Sequence, residues 1–228
     1  MPTSTTTNGL ALLRLLQLTS PQLPIGAFAY SQGLERAVHD EMVTDESSCY
    51  QWVSDLLSMS IGRWDLPILA RLFEAVVQEN WLEFKRWDRL LFCGRETMEL
   101  RAEEKHLARA FAKVVENLPG VEHQRLALPT NSFAGLYAAV CYQLGVSLID
   151  CQYGFGWMWV ENQVAAATKI IPLGQTQSQN LLFRLSQKIQ TVIEESQTLD
   201  DDQLASGLPF YAAISSWHEK QYSRLFRS

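Results

Sequence analysis

Residues 130–171 read Thr130-Asn-Ser-Phe-Ala-Gly-Leu-Tyr-Ala-Ala-Val-Cys-Tyr-Gln-Leu-Gly145-Val-Ser147-Leu-Ile-Asp150-Cys-Gln-Tyr-Gly-Phe-Gly-Trp-Met-Trp-Val-Glu-Asn-Gln-Val-Ala-Ala-Ala-Thr-Lys-Ile-Ile171, and Pro172 follows. Apolar side chains at Phe133, Leu136, Tyr137, Val140, Cys141 and Leu144 recur at helical spacing. Thr130 or Asn131 is placed to cap this helix, and Gly145 to end it. Ser147 and Asp150 then form a capping box for a second helix that runs to Ile171, where Pro172 stops it. Leu126 to Ile149 holds no charged residue, yet Pro129, Thr130, Asn131, Gln143 and Gly145 interrupt it. It reads as a buried core helix and not as a membrane span.

The same period extends outward. Cys49, Val53, Leu56, Leu57 and Ile61 form a stripe behind a cap at Thr44 or Asp45. A helix is expected from Asp65 with Pro67 in its first turn, followed by one long pattern from Phe84 to Val114 with a bend near Gly94. Leu181, Leu185, Ile189 and Ile193 mark another, which ends near Asp200-Asp201-Asp202. No alternating strand or Asn-Gly hairpin appears. The fold expected is all-α, a single bundle of about seven to ten helices. Residues 1–9 are expected as a flexible N-terminal segment, 10–215 as the helical domain and 216–228 as a C-terminal docking tail.

At 228 residues and 47% hydrophobic, the chain can bury about 70% of its unfolded surface. The net charge is 19 − 25 = −6, which argues against a nucleic-acid partner. Four cysteines are too few for a disulfide scaffold and suit a reducing, cytoplasmic setting. The Thr-rich start lacks the features of a secretory signal.

Catalytic motifs are missing or incomplete. There is no phosphate loop, and Gly154-Phe-Gly156 lacks the third glycine of a dinucleotide fingerprint. His218-Glu219 begins like a zincin helix, but Tyr222 stands where the second histidine must be. Ser31, Asp150 and His218 fall in hydrolase order, so a serine hydrolase using Ser31 is one alternative, although a Pro-rich loop replaces the elbow strand. An all-helical small-molecule binder resting on Trp157 and Trp159 is another. Ser31 reads more simply as a helix cap, and Glu103-Glu104 and Glu194-Glu195 as solvated helix faces. His218 and Glu219 are weak candidates for transient metal contact, and no tightly bound cofactor is expected.

Two segments do not fit a plain bundle. Residues 19–33 combine Pro21, Pro24, Gly26 and Gly33 with Phe28 and Tyr30, a stiff loop that could present aromatics. The tail interleaves Lys220, Arg224 and Arg227 with Trp217, Tyr222, Leu225 and Phe226. Gln175 should stand exposed at a helix start after the Pro172-Leu-Gly174 corner.

The stretch Leu18-Thr-Ser20-Pro21-Gln-Leu23-Pro24-Ile-Gly26-Ala-Phe28-Ala-Tyr30-Ser31-Gln32-Gly33-Leu34-Glu35 closely resembles the N-terminal signature of the UreF family of urease accessory proteins. Arg95-Glu-Thr97-Met-Glu99-Leu100-Arg101 and Ile171-Pro172-Leu173-Gly174-Gln175 resemble its two internal motifs, and His218 to Ser228 its closing one. That resemblance implies a noncatalytic, cytoplasmic, homodimeric chaperone of nickel insertion. Such a protein bridges UreD (also called UreH) and the GTPase UreG and reaches the urease apoenzyme through the complex, and regulation of the GTPase is a role proposed for the family. The residues expected to meet partners are Phe28, Tyr30, Gln175, His218, Glu219, Tyr222, Arg224, Leu225 and Phe226.

Overall fold

Ser147 caps the longest uninterrupted α-helical segment: its Oγ accepts from the Asp150 amide at 3.2 Å and donates to the Asp150 carboxylate at 2.5 Å. In the computed structural model, which describes residues 8–122, 130–205 and 208–228, this helix spans Leu148–Ile170 and the others pack around it. In chain order they are α1 (Gly9–Leu18), α2 (Leu34–His39), α3, α4 (Trp81–Cys93), α5 (Met98–Val115), α6 (Phe133–Gln143), α7 (Leu148–Ile170), α8 (Gln175–Ser196) and α9 (Pro209–His218). Here α3 denotes one continuous rod in three sections: α-helical Glu46–Leu56, π-helical Leu57–Asp65 and α-helical Leu66–Val77. Among the described residues there are nine helices so counted, besides short 3-10 turns, and no strand. The all-α expectation holds.

Close approach explains the glycines of α7. A Cβ on Gly154 would lie 2.6 Å from the Tyr137 hydroxyl of α6 and 2.7 Å from Leu15 of α1. One on Gly156 would lie 3.2 Å from Ile189 of α8. The Gly-Phe-Gly pair therefore lets three helices pack onto α7, while Phe155 between them joins the Phe133 and Tyr137 ring cluster.

Two local expectations are corrected and a third is refined. Ser132, and not Thr130 or Asn131, caps α6, accepting from the Gly135 amide at 3.0 Å. The buried Asp88 carboxylate has taken the other two, binding Thr130 Oγ1 at 2.6 Å and the Asn131 amide at 2.8 Å. The α-helical section expected from Asp65 is present as Leu66–Val77 with Pro67 in its first turn, but it continues directly out of the π section and does not start from a free end. The long pattern from Phe84 to Val114 is two helices, since Thr97 caps α5 afresh through the Leu100 amide at 3.2 Å.

Asp45 caps the first section of α3, as one of the two readings had it. Asn8 caps α1 through the Ala11 amide, so the helical body begins at Gly9. Residues 1–7 of the expected N-terminal segment, and residues 126–129 of the uncharged stretch, lie outside the described residues. No helix among the described residues is long and apolar enough to cross a membrane.

Candidate functional site

Glu99 and Glu103 stand four residues apart on α5 and therefore share a face, and Glu35 lies in the first turn of α2. These acids receive the end of the chain. His218, the last residue of α9, is fully buried between two of them, Nδ1 2.7 Å from Glu99 and Nε2 3.2 Å from Glu35. Beyond it the chain turns back, and the Leu225 and Phe226 amides donate to the two Glu35 oxygens at 2.7 and 2.9 Å. Ser228 Oγ donates to Glu103 at 2.9 Å.

The N-terminal loop closes over this tail. The Ser228 carbonyl accepts from the Ser31 amide, the Gln32 amide and Ser31 Oγ at 2.8, 3.0 and 2.6 Å, and the Arg227 amide donates to Ala29 at 2.8 Å. Gln32 spans the junction, donating to Glu103 at 2.7 Å and accepting from the Trp159 indole of α7 at 2.7 Å. Gly26 and Gly33 both take positive φ, which sets the path of the loop. Burial drives the Glu103 carboxyl up to about 7, Gln32 and Ser228 pull it down through their hydrogen bonds, and the neighbouring Glu104 adds to the rise.

Arg95 anchors the mid-chain motif from beneath. Its guanidinium pairs with Asp65 and, at 2.8 Å, with Glu104. Burial works against its charge, but the two carboxylates outweigh that and hold it above its ordinary range. The four motifs serve different places: three meet in this buried network, whereas Pro172-Leu-Gly174 turns the chain from α7 into α8.

The structure divides the expected partner-contact residues. Phe28, Tyr222 and Leu225 are 64%, 105% and 62% exposed, and Gln175 and Arg224 are also exposed. Tyr30, His218 and Phe226 are interior and so cannot be rim contacts of this conformation. Tyr30 turns inward to His106 at 2.9 Å, and Phe226 shares the Lys169 ammonium with Phe28, the two rings 5.5 and 5.6 Å from it. Glu219 is half-buried and caps α5, accepting from the Met98 amide at 2.9 Å. The tail is thus packed into the body along half of its side chains and open along the rest.

The hydrolase arrangement does not assemble. Ser31 is buried with its hydroxyl on Ser228, His218 sits between two glutamates, and Asp150 is bound to Ser147. Ser31 Oγ also accepts from the Glu35 amide at 3.3 Å, near the start of α2, although Gly33 occupies the cap position itself. His218 and Glu219 do not converge on a point, because both ring nitrogens of His218 face carboxylates on opposite sides and Glu219 faces a helix end. Among the described residues no three or more His, Cys, Asp or Glu side chains are grouped to hold a metal ion.

Trp159 borders an internal cavity of about 90 Å³ reaching from Glu103 to Met158, whereas Trp157 lines a separate surface groove. Glu103 and Glu104 are 4% and 7% exposed and are not the solvated face expected of them. Sequence reasoning missed Glu35, Glu99 and Glu103 as the tail's receptor. The available signal was the Glu99–Glu103 spacing beside a motif, since paired acids on one helix face otherwise repel.

A family model for UreF matches residues 43–186. A urease accessory protein UreF of Teredinibacter turnerae is 42% identical over 217 residues, covering 95% of this chain and 98% of that protein. One of Chromohalobacter salexigens is 41% identical over 219 residues, covering 96% and 95%, and one of a Marinomonas species is 38% identical over 226, covering 99% and 98%. With the family model spanning most of the chain and relatives aligned nearly end to end, this chain belongs to the UreF family of urease accessory proteins.

Proposed function

We propose that the chain is a nonenzymatic chaperone of urease maturation in the cytoplasm. In this reading it works as a homodimer, bridges UreD/UreH and the GTPase UreG, and through that complex serves nickel insertion into the urease apoenzyme. Nickel is cargo here and not a resident cofactor of this subunit. The supporting observation is the loop–tail junction: buried acids fix a scaffold from which Phe28, Tyr222 and Leu225 project into solvent, with Arg224 exposed beside them on its pair with Glu99. Such a rim suits binding, since a rigid aromatic and an arginine lose little freedom when covered.

Co-purification with UreD and UreG tests the reading. A complex holding all three proteins is expected with the wild-type chain. Phe28→Ala combined with Leu225→Ala should weaken it roughly thirtyfold, the effect of losing about 2 kcal/mol, with an unchanged circular dichroism spectrum. Normal complex formation by that variant would remove the rim from the reading, and no association of the wild-type chain with either partner would overturn the bridging role.

A further inference from the structure

Lys105, Arg109 and Lys113 lie on α5 at four-residue intervals, all exposed, and the sequence between them contains no acid. Among the described residues none of the three has a carboxylate partner within 4.0 Å, although Arg36, Arg71, Arg86, Arg184 and Arg224 each have one. Like charges at this spacing repel and weaken a helix. On a chain with net charge −6 the row is therefore a local cationic excess: Lys105 lies over the Phe92 ring at 5.0 Å, and Arg109 and Lys113 border a groove.

A groove of about 630 Å³ runs beside the row, with Arg109 and Lys113 on one side and Pro24, Ala110 and Val114 supplying apolar wall. His106 at one end is already engaged with Tyr30. Successive cations along a helix are about 6 Å apart, and alternate residues of an extended chain about 6.7 Å, so the two repeats stay in step over a few residues.

We propose that this face of α5 is a docking site for an extended acidic segment of a partner protein. Its carboxylates alternate with apolar residues, the acids meeting the cation row and the apolar side chains meeting Pro24 and Val114. Charge complementarity selects an acidic partner. Protein is favoured over nucleic acid because the groove offers no aromatic platform for bases and the chain as a whole is acidic. The inference goes beyond urease maturation and is tested with neither UreD nor UreG present, so the two can fail separately.

The test is fluorescence anisotropy of the full-length chain with a labelled peptide of alternating Glu and Val. Binding that weakens with added salt is expected, together with at least about a tenfold loss in the Arg109→Ala, Lys113→Ala double variant and retention in Arg109→Lys. Circular dichroism should show both variants folded, since the residues are exposed. Absence of binding, or equal binding by the double variant, would overturn the site. Equal affinity for a peptide of the same composition with its glutamates clustered would overturn the alternating register. Tighter binding of a thymidine oligonucleotide than of the peptide would overturn the choice of a protein partner.

Discussion

Glu103 shows how a single carboxyl couples this site to pH. Its folded pKa of about 7 lies above the ordinary 4.5, so between those values the folded chain keeps a proton that the unfolded chain has lost. Stability from this group is therefore full below about 4.5 and declines as pH rises through 7. Above that, the fold carries a buried anion at a cost on the order of 3 kcal/mol at most. Glu103→Gln keeps an acceptor for the Gln32 amide, offers the Ser228 hydroxyl a donor to which that hydroxyl can turn and accept, and removes the titration. Urea unfolding should show the variant more stable than wild type at pH 8 and the difference shrinking toward pH 5; a difference independent of pH would assign the shift elsewhere. His218 illustrates what was not legible at this scale. Beside Glu219 it reads as a surface pair, and its burial depends on Glu99 and Glu35, which are 119 and 183 residues away in sequence. No local pattern carries that information.

The elements were easier to read than their junctions. The stripe from Cys49 to Ile61 identifies a helix because burying one face requires the 3.6-residue period, whatever the partner is. By contrast, α6 is buried on all sides from Phe133 to Cys141, and its large residues mark only part of its contact surface. Starts and stops depend on competition for polar groups, which is tertiary: Asp88 took up Thr130 and Asn131, and the α6 cap fell to Ser132. The π section of α3 is the clearest case. A wider turn brings Gly62 against α8, where a Cβ would lie 2.5 Å from Val192 Cγ1 and 3.0 Å from the Leu57 carbonyl. Helix propensity favours alanine over glycine by about 1 kcal/mol, yet overpacking costs about 1–3 kcal/mol. Gly62→Ala should accordingly destabilise the protein in urea unfolding. Adding Val192→Ala should recover part of the loss, a non-additivity expected only if the two residues touch. Gly62→Ala more stable than wild type would mean that the rod and α8 are not in this contact.

At the scale of the molecule, the two ends of the described chain are one structural unit. The order of motifs along the sequence announced the family, but not that the first, second and last of them share a buried site, because contact between distant segments leaves no mark in either segment alone. The tail from Leu225 to Ser228 supplies Phe226, which is 4% exposed, two amides for Glu35 and the carbonyl that holds Ser31 and Gln32. Glu35 without those amides keeps only His218, and the loop loses its nearest support. A chain ending at Arg224 should therefore keep nearly all its helical circular dichroism, since α3 to α8 pack on one another. Its melting temperature should fall by roughly 6–12 °C if the loss is about 3 kcal/mol, the scale of emptying a buried phenylalanine site. Amide exchange at Ser31 and Gln32 should quicken at least about tenfold, while protection in α6 and α7 stays. Lys169 would then hold Phe28 without Phe226, so the exposed rim should lose its geometry and partner binding should fall even though Phe28, Tyr222 and Arg224 are still present. Protection at Ser31 and Gln32 that survives the deletion would show that the loop is held by the body, through Glu103, His106, Trp159 and Asn162, without the tail. In that event the tail's part in binding would reduce to its own exposed side chains.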